Sequence, residues 1–329
     1  MIGRAKTQLT LLDSVLNKRK KKSRTDELLK KMDEFVDWDK LIEVCSVVFK
    51  DSKRGRPSLP IIFSLKSLFL QFLYDLSDPG LEDALTDRLS FQRFVGIGFD
   101  EEAPDFTTIW RFRERLVKAD LYDRLFELIN EGLEARGVVL KRGTLVDATI
   151  VTSARRPRRK ATDEEKTARA KAQEDGDARF TKKRKRTYYG YKGHIGVDEG
   201  SGVIRKKAFT AADVHDSQKI DELVSGDERS VFGDKAYMSA ERKRRLRQKG
   251  VWCGILDKGY RNRPLSEKQK QLNRKKSRVR SAVERPFAHF KHLYGYGRAR
   301  YVNLKRNDLE FTFLCMIHNV RRGIAFTAA

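Results

Sequence analysis

Residues 144–151, Thr-Leu-Val-Asp147-Ala-Thr-Ile-Val, decide how this chain is read, because a run so rich in β-branched and apolar residues forms a strand. One carboxylate stands in the middle of it. A lone ionised carboxylate on a buried strand costs roughly several kcal/mol unless it is paired or binds a cation. Alternation along the strand leaves open a second reading of Asp147, as a group turned to solvent or salt-bridged to one of the many arginines.

Downstream, His194–Val197 and Val203–Thr210, joined by Asp198-Glu199-Gly200-Ser201-Gly202, predict a hairpin. Ser230–Gly233 predicts another short strand, and helices resume over about Ser239–Lys249. Upstream, residues 1–137 read as helical. Leu28, Leu29, Met32 and Val36 recur at helical spacing with Thr25 as N-cap, and Leu41, Val44, Val47 and Val48 make a second stripe. A basic turn, Lys53-Arg54-Gly55-Arg56-Pro57, precedes a long apolar helix over about 60–76. Pro79-Gly80 and Pro104-Asp105 open further helices over 81–89 and 107–116, and 121–133 closes the region. The fold class is α+β, with helices over 1–137 of the kind that grips DNA and a mixed α/β core over 138–329.

Two basic runs interrupt the core. Residues 155–186 hold 14 Lys/Arg against 6 Asp/Glu and read as a solvated insert that orders against phosphates. Residues 260–280 hold 9 Lys/Arg against one acid, marking a small basic insertion near 255–278. Either run also fits a soluble flexible loop.

The charge balance narrows the partner. With 71 Lys+Arg against 46 Asp+Glu the net charge is +25, which favours a polyanionic partner. A membrane is excluded: Leu59–Leu76, the most apolar stretch, contains Lys66, Gln71 and Asp75, and the N-terminus lacks the apolar core of a secretory signal. Cys45, Cys253 and Cys315 have no zinc or disulfide spacing, which fits a reducing cytoplasm. Nucleic acid remains, and with it a nucleoid-associated cytoplasmic protein.

Two further acids join Asp147. Asp234, in Gly233-Asp-Lys-Ala-Tyr237, follows a strand end, where α/β sheets place functional groups; an N-cap is the alternative. Glu284 lies in Ser277-Arg-Val-Arg280-Ser-Ala-Val-Glu284-Arg-Pro286-Phe-Ala-His-Phe-Lys291. On a helix, Arg280, Glu284 and Lys291 share one face, a carboxylate between two phosphate-binding cations; a surface ion pair is the alternative. Pro286 removes the bond to the Ala282 carbonyl, so a kink is expected directly below Glu284. His194 and His215 are expected to be structural.

The pattern Arg280, three residues, Glu284, six residues, Lys291 resembles the C-terminal signature of DDE insertion-sequence transposases of the InsH-like branch. Ser277 stands where that signature usually has tyrosine. Gly55-Arg-Pro-Ser-Leu-Pro60, Leu76-Ser-Asp-Pro79, Phe91-Gln-Arg-Phe-Val-Gly96 and Pro104-Asp-Phe-Thr-Thr-Ile-Trp-Arg-Phe-Arg113 resemble that branch's N-terminal region. The resemblance implies an RNase H-like catalytic core in which Asp147, Asp234 and Glu284, separated by 87 and 50 residues, are the catalytic triad and metal ligands. It implies two Mg2+ ions, with Mn2+ as a substitute, since three hard carboxylates without a His/Cys cluster suit those ions. The activity implied is cleavage at terminal inverted repeats and transfer of 3′-hydroxyl ends to target DNA, by a homodimer or higher oligomer on double-stranded DNA. Lys235, Arg280, Lys291, Arg111 and Arg113 are the expected DNA contacts. A hydrolysing RNase H-like nuclease and a non-catalytic DNA-binding regulator are the alternatives.

Overall fold

A computed structural model describes residues 23–49, 59–98, 101–155 and 174–328. The basic turn at 53–57 and the N-terminal segment tested as a secretory signal lie outside them. The chain divides into two compact units. One ends at Arg136 and takes up the chain again at Thr312; the other spans Gly137–Phe311.

The first unit contains helices α1 (Arg24–Phe35), α2 (Trp38–Ser46), α3 (Ile61–Leu73), α4 (Asp78–Asp87), α5 (Leu89–Val95), α6 (Phe106–Lys118) and α7 (Tyr122–Ala135). Short polar side chains start them: Ser23, Asp37, Ser77 and Asp105 each accept a backbone N–H of the first turn. The first cap is thus Ser23, not Thr25. Ser23 forms a capping box with Asp26, which leaves Thr25 inside the helix.

Helix α3 is buried on nearly every side, so its polar residues need internal partners. Lys66 pairs with Asp33 at 2.5 Å and lies over the rings of Trp38 and Phe94. Gln71 donates to Asp78 at 2.5 Å. The last helix, α12 (Leu304–Thr327), belongs to this unit from Thr312 onward, where Phe313 packs against Phe69 and Phe72. The C-terminal end therefore goes with the helices and not with the sheet, contrary to a single division at 137/138. α12 approaches the other helices closely at Gly323, where a side chain would come within 2.4–2.5 Å of Phe35 and Leu133.

The second unit is built on a six-stranded mixed sheet, β1 (Thr144–Thr152), β2 (Arg179–Lys183), β3 (Arg186–Asp198), β4 (Ile204–Ala211), β5 (Ser230–Phe232) and β6 (Trp252–Cys253). Its order is β2-β3-β1-β5-β6, with β4 also on β3. β3 is antiparallel to β1 and β4, whereas β5 runs parallel to β1 and to β6. This is the RNase H-like arrangement expected. Asp198 secures the β3–β4 turn, accepting the N–H of Leu140 and Lys141 and the hydroxyl of Ser201. Val146, Val231, Tyr237, Leu246, Val251 and Ile255 form a core with the short helix α8 (Ile220–Leu223). Helix α9 (Ala240–Gln248) supplies Leu246.

Both basic runs hold more structure than expected. Of 155–186, residues 156–173 lie outside the described set, but the end of the run forms β2 and the first residue of β3. The run at 260–280 is mostly a helix, α10 (Glu267–Arg280), opened by a capping box between Ser266 and Gln269. Lys276 is buried on it and donates to the Ile255 carbonyl at 2.8 Å and to Asp257 at 3.0 Å. Charge counting cannot see such an anchor, because one lysine carries it while most of the other cations are exposed.

Candidate active site

Strand register brings the first two acids together. β1 and β5 pair in parallel, Thr144 with Val231 and Leu145 with Phe232. Carried two residues past the end of β5, this register points Asp234 toward Asp147, whose carboxyl senses the charge of Asp234. Asp234 lies just beyond β5, where it also caps a turn of 3-10 helix by accepting the Lys235 N–H. The N-cap reading of Asp234 is therefore met in the structure.

The third acid arrives from a broken helix. α10 ends at Arg280, Ser281–Val283 form a 3-10 turn, and α11 (Glu284–Leu293) begins at Glu284. Pro286 falls in the first turn of α11, where its missing N–H costs nothing, so the expected kink is a break. Buried Val283 and Pro286 seat the turn. Arg280 still meets Glu284 at 3.2 Å, and its other terminal nitrogen donates to Asp147 at 3.1 Å. One guanidinium therefore joins the first acid to the third.

Burial pushes the Asp147 carboxyl above the usual carboxylate range, against the pull of the Ala148 N–H, Arg280 and Lys183; the charge of Asp234 adds to the upward push. Tyr237 is buried, and its hydroxyl has no hydrogen-bond partner among the described residues. Its phenol is pushed up by burial and by the charges of Asp216, Asp147 and Asp234.

Three hard oxygen donors of like charge are the donor set that Mg2+ or Mn2+ takes. Among the described residues no three acidic, histidine or cysteine side chains stand close enough to share one ion. Arg280, between Asp147 and Glu284, provides the positive charge there.

The expected DNA contacts divide. Lys235, next to Asp234 in the chain, and Lys291, two turns beyond Glu284 on α11, are exposed, with Lys291 held below the usual lysine range by desolvation and by the charge of Lys183. Arg280 is engaged by the carboxylates. Arg111 is exposed and lines a cavity of about 320 Å³ with Arg115 and Phe112. Arg113 is a correction: it is 2% exposed and gives both terminal nitrogens to Asp78 at 2.8 Å, so it is structural. Phe112 is buried, whereas Trp110 is exposed. His194 is buried, its Nε2 meeting Thr210 Oγ1 at 3.0 Å, and burial pushes it down to about 4. His215 caps the turn at Ser217. Both are structural, as expected.

Residues 140–320, more than half of the chain, match the family described as "Transposase DDE domain". Residues 17–115 match a second, "Transposase domain (DUF772)". A solved structure titled "Cryo-EM structure of piggyBac transposase synaptic complex with hairpin DNA (SNHP)" is similar at 12% identity, with a TM-score of 0.49, over 91% of this chain and 74% of that chain.

Proposed function

Because the chain belongs to the DDE transposase family, we propose that this DNA-binding enzyme cuts at the terminal inverted repeats of its element and joins the freed 3′-hydroxyl ends to target duplex. The observation carrying this reading is the strand register that points Asp234 toward Asp147 while Arg280 ties Asp147 to Glu284. Asp147, Asp234 and Glu284 would hold two divalent ions, which when bound activate the attacking oxygen and stabilise the leaving one. The chain's own groups orient the strand. Lys235 and Lys291 neutralise phosphate oxygens on either side of the acids, and Arg280 turns from the carboxylates to the substrate once their charge is met otherwise. Burial at Asp147 excludes water from one side, which strengthens each charge interaction at the reacting phosphate. Asp147 is held by a paired strand, Asp234 by the turn that follows β5 and Glu284 by a helix start, so the acids would close on the ions as Arg280 leaves them.

Joining two ends requires two such sites, hence a dimer or higher oligomer on DNA. The helices of the first unit, with Arg111 exposed, are the proposed reader of the repeats. The test is incubation of the protein with labelled end duplex, supercoiled plasmid and Mg2+. The reading predicts a nick exposing a 3′-hydroxyl at the element boundary, then a covalently joined product. Binding without either product would contradict it.

A further inference from the structure

The β2–β3 hairpin carries five consecutive cations at its tip, Lys182, Lys183, Arg184, Lys185 and Arg186, all exposed. No acid among the described residues pairs with any of them. Arg184 makes the tight reversal, at φ 56°. The root is fixed as firmly as the tip is bare. Tyr189 donates its hydroxyl to the Asp175 carbonyl at 2.7 Å and packs against Phe180 with ring centres 4.7 Å apart. Gly190 pairs with Thr152 of β1 and with Arg179 of β2, and a side chain there would meet the Val151 carbonyl at 2.1 Å. β3 therefore continues past the end of β1 as a stiff arm rooted on the strand that bears Asp147.

We propose that this hairpin is a clamp for the phosphate backbone of the duplex whose scissile phosphate lies at Asp147, Asp234 and Glu284. Charge complementarity selects the occupant. Five adjacent cations repel one another unless a polyanion spreads its charge along them, and double-stranded DNA offers one negative charge per about 1.7 Å of axis. Placement selects the part of the DNA. The arm is rooted through β3 on β1, the strand that bears Asp147, so a duplex held by the tip runs on toward that strand. An acidic protein segment would meet the cations equally well but has no reason to run on to three carboxylates. The assignment rests on the transposase reading above.

The experiment measures affinity for a labelled end duplex, in the absence of metal, across a salt series. The proteins compared are wild type, Lys182→Gln/Lys183→Gln/Lys185→Gln, and a control of equal charge loss on α9 and its C-cap, Arg244→Gln/Arg247→Gln/Lys249→Gln. Each phosphate contact contributes about 0.9 to the slope of log affinity against log salt, so three lost contacts lower it by about 2.7. The loss of affinity between about 50 and 200 mM salt then shrinks roughly 40-fold in the hairpin variant, while the control keeps the wild-type slope. Arg184→Gln/Arg186→Gln gives a second, independent test with a fall of about 1.8. An unchanged slope in both hairpin variants, or an equal fall in the control, overturns the clamp. Wild-type cutting of the same duplex with Mg2+ is scored separately. Its absence would count against the transposase reading and leave the metal-free comparison standing.

Discussion

Replacing Arg113 with alanine separates a structural arginine from a DNA contact. Its guanidinium is 2% exposed and bidentate on Asp78, with Gln71 Oε1 accepting at 3.3 Å. Removing one partner of a fully buried pair costs about 3–5 kcal/mol, because the other charge is left uncompensated. Asp78 retains some relief: its side chain is 24% exposed, it lies in the first turn of α4, and Gln71 still donates to it. That lowers the expected cost to about 2–4 kcal/mol. For a unit of this size each kcal/mol moves the midpoint by about 2–4 °C, so thermal unfolding of the helical unit should fall by roughly 5–15 °C. Arg113→Met with Asp78→Leu should recover much of the loss, since an apolar pair removes both desolvated charges. Calorimetry reads the shift, and end-duplex affinity is measured on protein still folded at low temperature. An Arg113→Ala protein as stable as wild type but weakened on DNA would refute the structural reading.

Three other outcomes follow from the same geometry. His194, down at about 4 when folded against about 6.5 unfolded, binds a proton in the unfolded chain first; stability therefore falls as pH drops from 6.5 to 4, by about 3 kcal/mol in all. Urea titrations across that window should show the slope, and His194→Gln should flatten it; equal slopes would contradict the assignment. Asp147 is raised when folded, so the folded chain holds its proton longer and stability is lost as pH rises above the unfolded value of about 3.9. Asp147→Asn should melt higher than wild type at pH 7 without metal, with the gap closing below about pH 4; a lower melting point at pH 7 would sink the idea. Asp175 is buried and accepts from Ser153 and Tyr191, each at 2.5 Å, and from the Asn303 N–H at 3.2 Å. Asp175→Ala strands these donors and should cost about 2–4 kcal/mol by urea denaturation, where an unchanged midpoint would show the network to be dispensable.

What was legible in the sequence followed from local pattern. The β-branched run around Asp147 and the hairpin turn at Asp198–Gly202 are properties of a few adjacent residues, and each stands where the pattern put it, whereas the helix breaks at Ser281–Val283, ahead of the kink expected from Pro286. The nearness of Asp147 and Asp234 was available only through the resemblance, because the β1–β5 register is a long-range pairing. Arg113 was misread because on α6 it looks like Arg111 and Arg115 two residues to either side; the helix turns it inward to an acid 35 residues away. For 260–280 the flexible-loop alternative is the one that fails, because a capping box and buried Lys276 make most of the run a helix. Asp175 carried no local sign, since its partners come from positions 153, 191 and 303. The anchored hairpin root and the division of α12 are also products of tertiary packing.

The most direct test of the account is cleavage and strand transfer on labelled end duplex by wild type and Glu284→Gln, each with and without Mg2+. Glu284 is exposed, so the amide should leave folding and end binding intact while removing one ligand charge. The account predicts that wild type cuts and joins only with Mg2+, and that Glu284→Gln binds the ends but does neither. Equal cutting by both proteins would contradict it, because Glu284 would then be no part of the site.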